Sequence, residues 1–221
     1  MVRESFARHI KKLEKEIIDL GDMVAAAVNR SVAALKNRDI AEAKRIIDED
    51  KLINDRRLEI EEECINLIAL QQPVASDLRE IVAILYVITD LERIGDYAEG
   101  IGKIVIMLGD EPLVRPLVDI PVMAEKAVSM LKRSLQAFVK RDAKTASAIC
   151  DEDDEVDALN DRVHHNLLTC MIEDPKTISR ATPLIWASHN LERVADRVTN
   201  ICERTAYLAT GTMREVNVSR Y

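Results

Sequence analysis

The chain has 221 residues, with 31 Lys and Arg against 39 Asp and Glu, for a formal net charge of −8. That balance lacks the cationic excess that a sequence-independent grip on a phosphate backbone needs, which excludes nucleic acid as an expected partner. Aromatic residues make up 3% of a composition that is 48% hydrophobic, so the core has to come from Leu, Ile, Val, Ala and Met, which favour or tolerate helix.

No stretch approaches the roughly 20 apolar residues of a membrane span, and the segment Met1 to His9 has no apolar signal-peptide region. The expected location is the cytoplasm, with any membrane contact made only through partners. Cys64, Cys150, Cys170 and Cys202 form no Cys-x-x-Cys pair and read as reduced thiols in helix interiors.

Gly and Pro, six of each, divide the chain into six long segments of helical periodicity. The first is expected from about Ser5 to Lys36, followed by the turn Asn37-Arg38-Asp39, in which Asp39 caps a second helix reaching about Leu70. Gln71-Gln72-Pro73 ends it. A third helix runs from about Asp77 to Leu108, where Gly109, Pro112, Pro116 and Pro121 mark the longest break. The pattern then recurs. A fourth helix ends near Lys140, the turn Lys140-Arg141-Asp142 leads to a fifth ending near Glu173, and a sixth follows Asp174-Pro175-Lys176 to about Thr210. The tail after Gly211 has no periodicity and is expected to fray.

The recurrence is an internal repeat. Asn37-Arg38-Asp39 aligns with Lys140-Arg141-Asp142, and Ile47-Asp48-Glu49-Asp50 with Cys150-Asp151-Glu152-Asp153, both at an offset of 103. Leu91-Glu92-Arg93-Ile94-Gly95-Asp96 aligns with Leu191-Glu192-Arg193-Val194-Ala195-Asp196 at an offset of 100. Helices of about 30 residues are about 45 Å long, and three joined by short turns can bury their stripes against one another. The fold expected is all-α: two tandem three-helix bundles, residues 1–110 and 111–221, with six long antiparallel helices related by a pseudo-twofold axis.

The repeated acidic segment carries the chemistry. Glu92 and Asp96, and likewise Glu192 and Asp196, are four residues apart and share one helix face. Like charges at that spacing cost a helix about 0.2–0.5 kcal/mol, which a cation between them would reverse. Measured from the stripes through Leu91, Ile94 and Ala98, or Leu191, Val194 and Val198, these acids are expected to face outward. Asp50 with Asn54, and Asp153 with Asp157, lie on the flank of the second and fifth helices. An all-oxygen set suits magnesium, calcium or manganese, and a multinuclear one also iron. The competing reading is a solvated face paired to Arg93, Arg193 and Arg197.

His189 precedes Glu192 by three residues and reaches the same face, whereas His9, His164 and His165 have no partner that spacing identifies. A ferritin-like di-iron site would need Glu-x-x-His on two helices; the chain has one reversed His-x-x-Glu. Phosphate loops, nucleophile elbows and Cys–His pairs are missing from the sequence. Trp186, within Pro183-Leu184-Ile185-Trp186-Ala187, reads as core in preference to a contact patch. Val82 and Leu85 lie on the far side of the third helix from its stripe, where an exposed apolar face would favour self-association.

The segments Gln71-Gln72-Pro73-Val74-Ala75-Ser76-Asp77-Leu78-Arg79 and Asp90-Leu91-Glu92-Arg93-Ile94-Gly95-Asp96, with the echo Asn190-Leu191-Glu192-Arg193-Val194-Ala195-Asp196, resemble the PhoU family over roughly residues 5 to 210. The resemblance implies a regulator without enzymatic activity, which restrains the phosphate-specific ABC transporter and the phosphate-sensing histidine kinase when phosphate is plentiful. It implies PstB and PhoR as partners and a homodimer. It also implies metal clusters, with iron, zinc, manganese, magnesium or calcium as candidates, on Glu92 with Asp96, Glu192 with Asp196, and Asp153 with Asp157. Asp50 is followed by Asn54 instead of Asp, a departure that removes one charge. The alternative functions are a metal-dependent phosphohydrolase and a metal-buffering helical protein.

Overall fold

The computed structural model describes residues 2–212, and every regular element among them is helical. The first half holds α1 (Val2–Asn37), α2 (Ile40–Gln71) and α3 (Ser76–Leu108). The second holds α4 (Asp119–Lys140), α5 (Ala143–Asp151), α6 (Asp153–Glu173) and α7 (Ile178–Thr210), with a 3-10 turn at Pro175–Thr177. Among the described residues no helix is long and apolar enough to cross a membrane. The expected frayed tail falls, from residue 213 onward, outside the described residues.

The repeat extends to single hydrogen bonds. Arg38 and Arg141 close α1 and α4 in the left-handed region, at φ 55° and 54°, a conformation that costs a non-glycine residue roughly 1 kcal/mol or more. In each turn the following aspartate sends its N–H back 2.9 Å, Asp39 to the Ala34 carbonyl and Asp142 to that of Ala137. Each aspartate then caps the next helix, Asp39 Oδ1 accepting from Glu42 N at 2.9 Å and Asp142 Oδ1 from Thr145 N at 3.0 Å. The capping satisfies donors that a helix start leaves unpaired.

One rod departs from the expected six. The fifth is broken at Glu152 into α5 and α6, within the acidic run Asp151 to Glu155. Starting a new helix there places Asp153, Asp154 and Glu155 in its first turn, where the partial positive charge of the helix end favours carboxylates. Glu152 is held at the break by Arg133, whose Nη1 donates to it at 2.7 Å. The first-half counterpart carries Lys51 and Leu52 after its acids, and α2 runs through.

Each half packs its rods on one another, and the halves join through α1 on α4 and α3 on α7 to share one apolar core. The α3–α7 seam is antiparallel with a fixed register. Arg79 meets Gly211, Tyr86 lies under Arg204, Asp90 meets Asn200, and Gly100 meets Asn190, each pair of numbers adding to 290. Shifting both members by the repeat offset of 100 gives pairs of the same sum, so the pseudo-twofold axis crosses the seam at Gly95 and Ala195.

The burial pattern also corrects two expectations. Val82 and Leu85 do not form an exposed apolar face: both are half-buried within the chain, and Leu85 packs against the core. Trp186, by contrast, is 49% exposed while its neighbours Pro183, Leu184 and Ala187 are buried. All four cysteines are free thiols, Cys170 half-buried and the others buried.

Candidate metal centres

The eight candidate residues converge as two clusters, one in each half. In the first, Asp50 and Asn54 of α2 stand against Glu92 and Asp96 of α3, with Asp50 in the field of both α3 carboxylates. In the second, Asp153 and Asp157 of α6 stand against Glu192 and Asp196 of α7. The helical spacing that places Glu92 over Asp96 thus meets the same spacing on a neighbouring rod.

Of the four acids that the stripe argument placed outward, Asp96 and Asp196 keep 36% and 34% of their side chains exposed, but the two glutamates are largely covered. The side chains of Glu92 and Glu192 are only 16% and 12% exposed, and Asp153 is 5% exposed. The cause is the adjoining rod: α2 covers the flank of α3, and α6 that of α7, which a single-helix projection treats as open.

Burial next to like charge drives the protons back on. Desolvation, then Asp157, Asp196 and Glu192, push Asp153 up to about 7. Glu192 also rises to about 7, through burial and then Asp196 and Asp157, with Arg193 opposing. Asp50 rises to about 6 through burial and then Glu99, Asp96 and Glu92, with Lys103 opposing. Glu92 and Asp157 are raised as well, in both cases first by burial. Near neutral pH the second cluster is therefore only partly ionised, and a cation would displace its protons.

Local partners engage some of the oxygens. Arg93 Nη1 donates to Asp96 Oδ2 at 3.2 Å, and Arg193 Nη1 lies 3.0 Å from Asp196 Oδ2. Asn54 Nδ2 donates to Asp50 Oδ2 at 2.8 Å. Glu192 Oε2 lies 2.9 Å from His189 Nδ1 but without hydrogen-bond alignment. Asp50 Oδ1, Asp153 Oδ1 and Glu192 Oε2 are buried with no hydrogen-bond partner.

Orphaned carboxylate oxygens in low dielectric are costly unless something positive meets them, and an all-oxygen donor set fits a hard divalent cation. The cage is not closed in advance: among the described residues, no three His, Cys, Asp or Glu side chains are arranged to hold a metal ion. The donors fit a cation by their chemistry, and closing on it would require the side chains to move. Nothing in either cluster pairs a nucleophile with a base.

Three members were missed in the sequence. Glu99 and Lys103 bear on Asp50, and Arg57 bears on Glu92. Glu99 is seven residues beyond Glu92 and so on the same face; a window one turn longer finds it.

A sequence model described as the PhoU domain matches residues 17–105 and again 120–205. The chain belongs to the PhoU family. Members similar to it include the phosphate-specific transport system accessory protein PhoU homolog of Clostridium acetobutylicum, 38% identical over 98% of this chain and 100% of the relative. The Rhizobium meliloti homolog of the same description is 36% identical over 95% of this chain and 89% of its own length. In three dimensions, the phosphate transport system regulatory protein PhoU from Streptococcus pneumoniae superposes with a TM-score of 0.88 at 32% identity, covering 95% of this chain and 99% of that one. PhoU from Pseudomonas aeruginosa gives 0.88 at 35% identity, covering 94% and 100%. These PhoU relatives are named accessory and regulatory proteins, not enzymes.

Proposed function

We propose that this chain is an accessory regulator of a phosphate transport system, acting by binding. The observation that carries this reading is the match of both repeats to the PhoU domain, with relatives named as accessory proteins of phosphate-specific transport at near full-length coverage. In this reading the protein works in the cytoplasm when phosphate is plentiful. It restrains the transporter through the ATPase subunit PstB and keeps the sensor kinase PhoR inactive, as a homodimer.

The two acidic clusters are read as cation sites that bias this docking. A bound divalent cation would supply the positive charge that the buried carboxylates lack. The chain's own part is to bring carboxylates from two neighbouring rods into one another's field.

The test is alkaline phosphatase activity in phosphate-replete cells lacking this gene. Deletion is expected to raise activity and the intact gene to restore repression. Unchanged activity on deletion removes the regulatory role. Complementation with Glu92→Ala, Asp96→Ala, Glu192→Ala and Asp196→Ala combined then reports whether the acidic clusters contribute.

A further inference from the structure

The repeat brings one more pair of positions together, and fills it differently in each half. Cys150 of α5 and Cys202 of α7 correspond, at the offsets of 103 and 100, to Ile47 of α2 and Gly102 of α3. In the first half the two positions touch: a Cβ on Gly102 would stand 3.4 Å from Ile47 Cγ1. In the second half both carry thiols. Cys150 Sγ reaches α7, 4.0 Å from the carbonyl oxygen of Thr199, a residue one turn before Cys202 on the same face of that helix. The thiols lie within hydrogen-bonding reach of each other, and Cys150, ahead of burial, pushes the Cys202 thiol well above the ordinary thiol range. Each residue is 1% exposed.

Packing alone does not require two sulfurs here, since an isoleucine over a glycine fills the equivalent place. Cysteines can be bridged when their Cβ atoms are about 3.5–4.5 Å apart, and the contact at the first-half counterpart is on that scale. The helix that carries Cys150 is short. With nine residues, α5 falls below the roughly 12–15 at which a helix holds itself, so it depends on packing against α4 and α7. Local opening of such a segment uncovers a thiol that the closed fold protects.

We infer that Cys150 and Cys202 are a redox pair, which hydrogen peroxide closes into a disulfide between α5 and α7. When α5 opens, peroxide oxidises the Cys150 thiol to the sulfenic acid and one water leaves. The Cys202 sulfur then attacks that sulfur; the Cys202 proton and the sulfenic hydroxyl depart as a second water, and the S–S bond forms. Two thiols and one peroxide give one disulfide and two waters, with two electrons passing from sulfur to the peroxide oxygens. In a reducing compartment the bond is transient and thiol exchange reverses it.

The experiment treats the full chain with hydrogen peroxide, unfolds it in urea with iodoacetamide and maps the peptides by mass. Of the four cysteines, Cys150 and Cys202 are expected as one cross-linked peptide pair that dithiothreitol separates, and Cys64, buried in α2, as the alkylated form. Closing the bond is expected to raise the melting midpoint by roughly 5–10 °C. Cys150→Ile with Cys202→Gly, which copies the first half's packing, should leave the midpoint unresponsive to peroxide. The wild-type map decides the matter even if that variant folds poorly. Alkylated Cys150 and Cys202 after peroxide, sulfinic acid at Cys150 without a cross-link, or either residue bridged to another cysteine overturns the pair. A bond that forms and leaves the wild-type midpoint unmoved overturns its role in holding α5 to α7.

Discussion

Asp90 of α3 and Asn200 of α7 meet across the seam between the repeats, Asn200 Nδ2 donating to Asp90 Oδ1 at 3.2 Å. The same oxygen lies 3.5 Å from Arg197 Nη1. The related pair under the pseudo-twofold axis is Asn190 with Gly100, where a Cβ on the glycine would come within 2.9 Å of Asn190 Nδ2. One half of the seam is therefore joined by a buried polar contact and the other by close approach.

Removing the acceptor at position 90 is expected to cost more than an ordinary surface substitution. Asp90 is 8% exposed, and Asp90→Ala leaves two donors facing a void, a loss of about 1–3 kcal/mol. Asp90→Asn keeps an acceptor oxygen and reproduces the residue already present at 190, so its cost should be smaller. Urea unfolding of the two variants checks the ranking; an alanine variant as stable as wild type shows that the seam does not depend on this contact.

The two capping turns predict a matched pair of effects. Asp39→Ala and Asp142→Ala each remove the acceptor for an otherwise unpaired helix-start donor and should each lower stability by about 1 kcal/mol. Asp39→Asn and Asp142→Asn, with equivalent capping oxygens, should fall within a few tenths of wild type. Chemical denaturation with all four variants distinguishes loss of the cap from a general intolerance of the turn.

Much of this architecture was legible because the signals were local. The Asn37-Arg38-Asp39 turn named one cap and its alignment with Lys140-Arg141-Asp142 marked the place of the other, and the repeated Leu-Glu-Arg segments placed the acids on one face of each rod. Assigning Glu92 and Glu192 to solvent failed, while Asp96 and Asp196 stay partly exposed, because helical periodicity describes one rod and whether its face is covered depends on α2 and α6 arriving beside it. The same limit applied to Val82 and Leu85, which are half-buried although they lie off the main stripe of α3. The break at Glu152 was visible as five consecutive acids, but their preference for a helix start competes with helix continuity, and only packing decides between them. The roles of Arg57 and Lys103 depend on contacts between rods, which spacing along one rod does not report.

Cys64 offers a readout of the first half's rigidity. It is fully buried in α2, and desolvation, followed by Glu63 and Glu16, pushes its thiol up to about 12. Because the thiolate is the reactive form, Cys64 should resist iodoacetamide near pH 8 in the native state and react at the rate of a free cysteine in urea. Peptide mass mapping of the alkylated chain checks this. Native-state labelling at the unfolded rate would mean that α2 opens on the timescale of the reaction.

The acidic clusters make the metal-free chain more stable in mild acid than at neutral pH. Asp153 and Glu192 are raised to about 7 and Asp50 to about 6, whereas in the unfolded chain such groups titrate near about 4. Between these values the folded state binds more protons than the unfolded one, so stability falls as pH rises and levels off above the folded values. Carboxylates lowered by ion pairs, such as Glu152 beside Arg133, act in the opposite sense but only below about pH 4. With EDTA present, the melting midpoint should therefore drop between about pH 5 and pH 8, each 1 kcal/mol appearing as roughly 2–4 °C. Asp153→Asn with Glu192→Gln should flatten that slope, because the amides do not titrate. Saturating Mn²⁺ should reverse it in the wild-type chain, since the metal competes with protons and gains as they leave. A metal-free melting midpoint that rises steadily through this window would show that the buried carboxylates are ionised without strain, and that the clusters have no need of a cation.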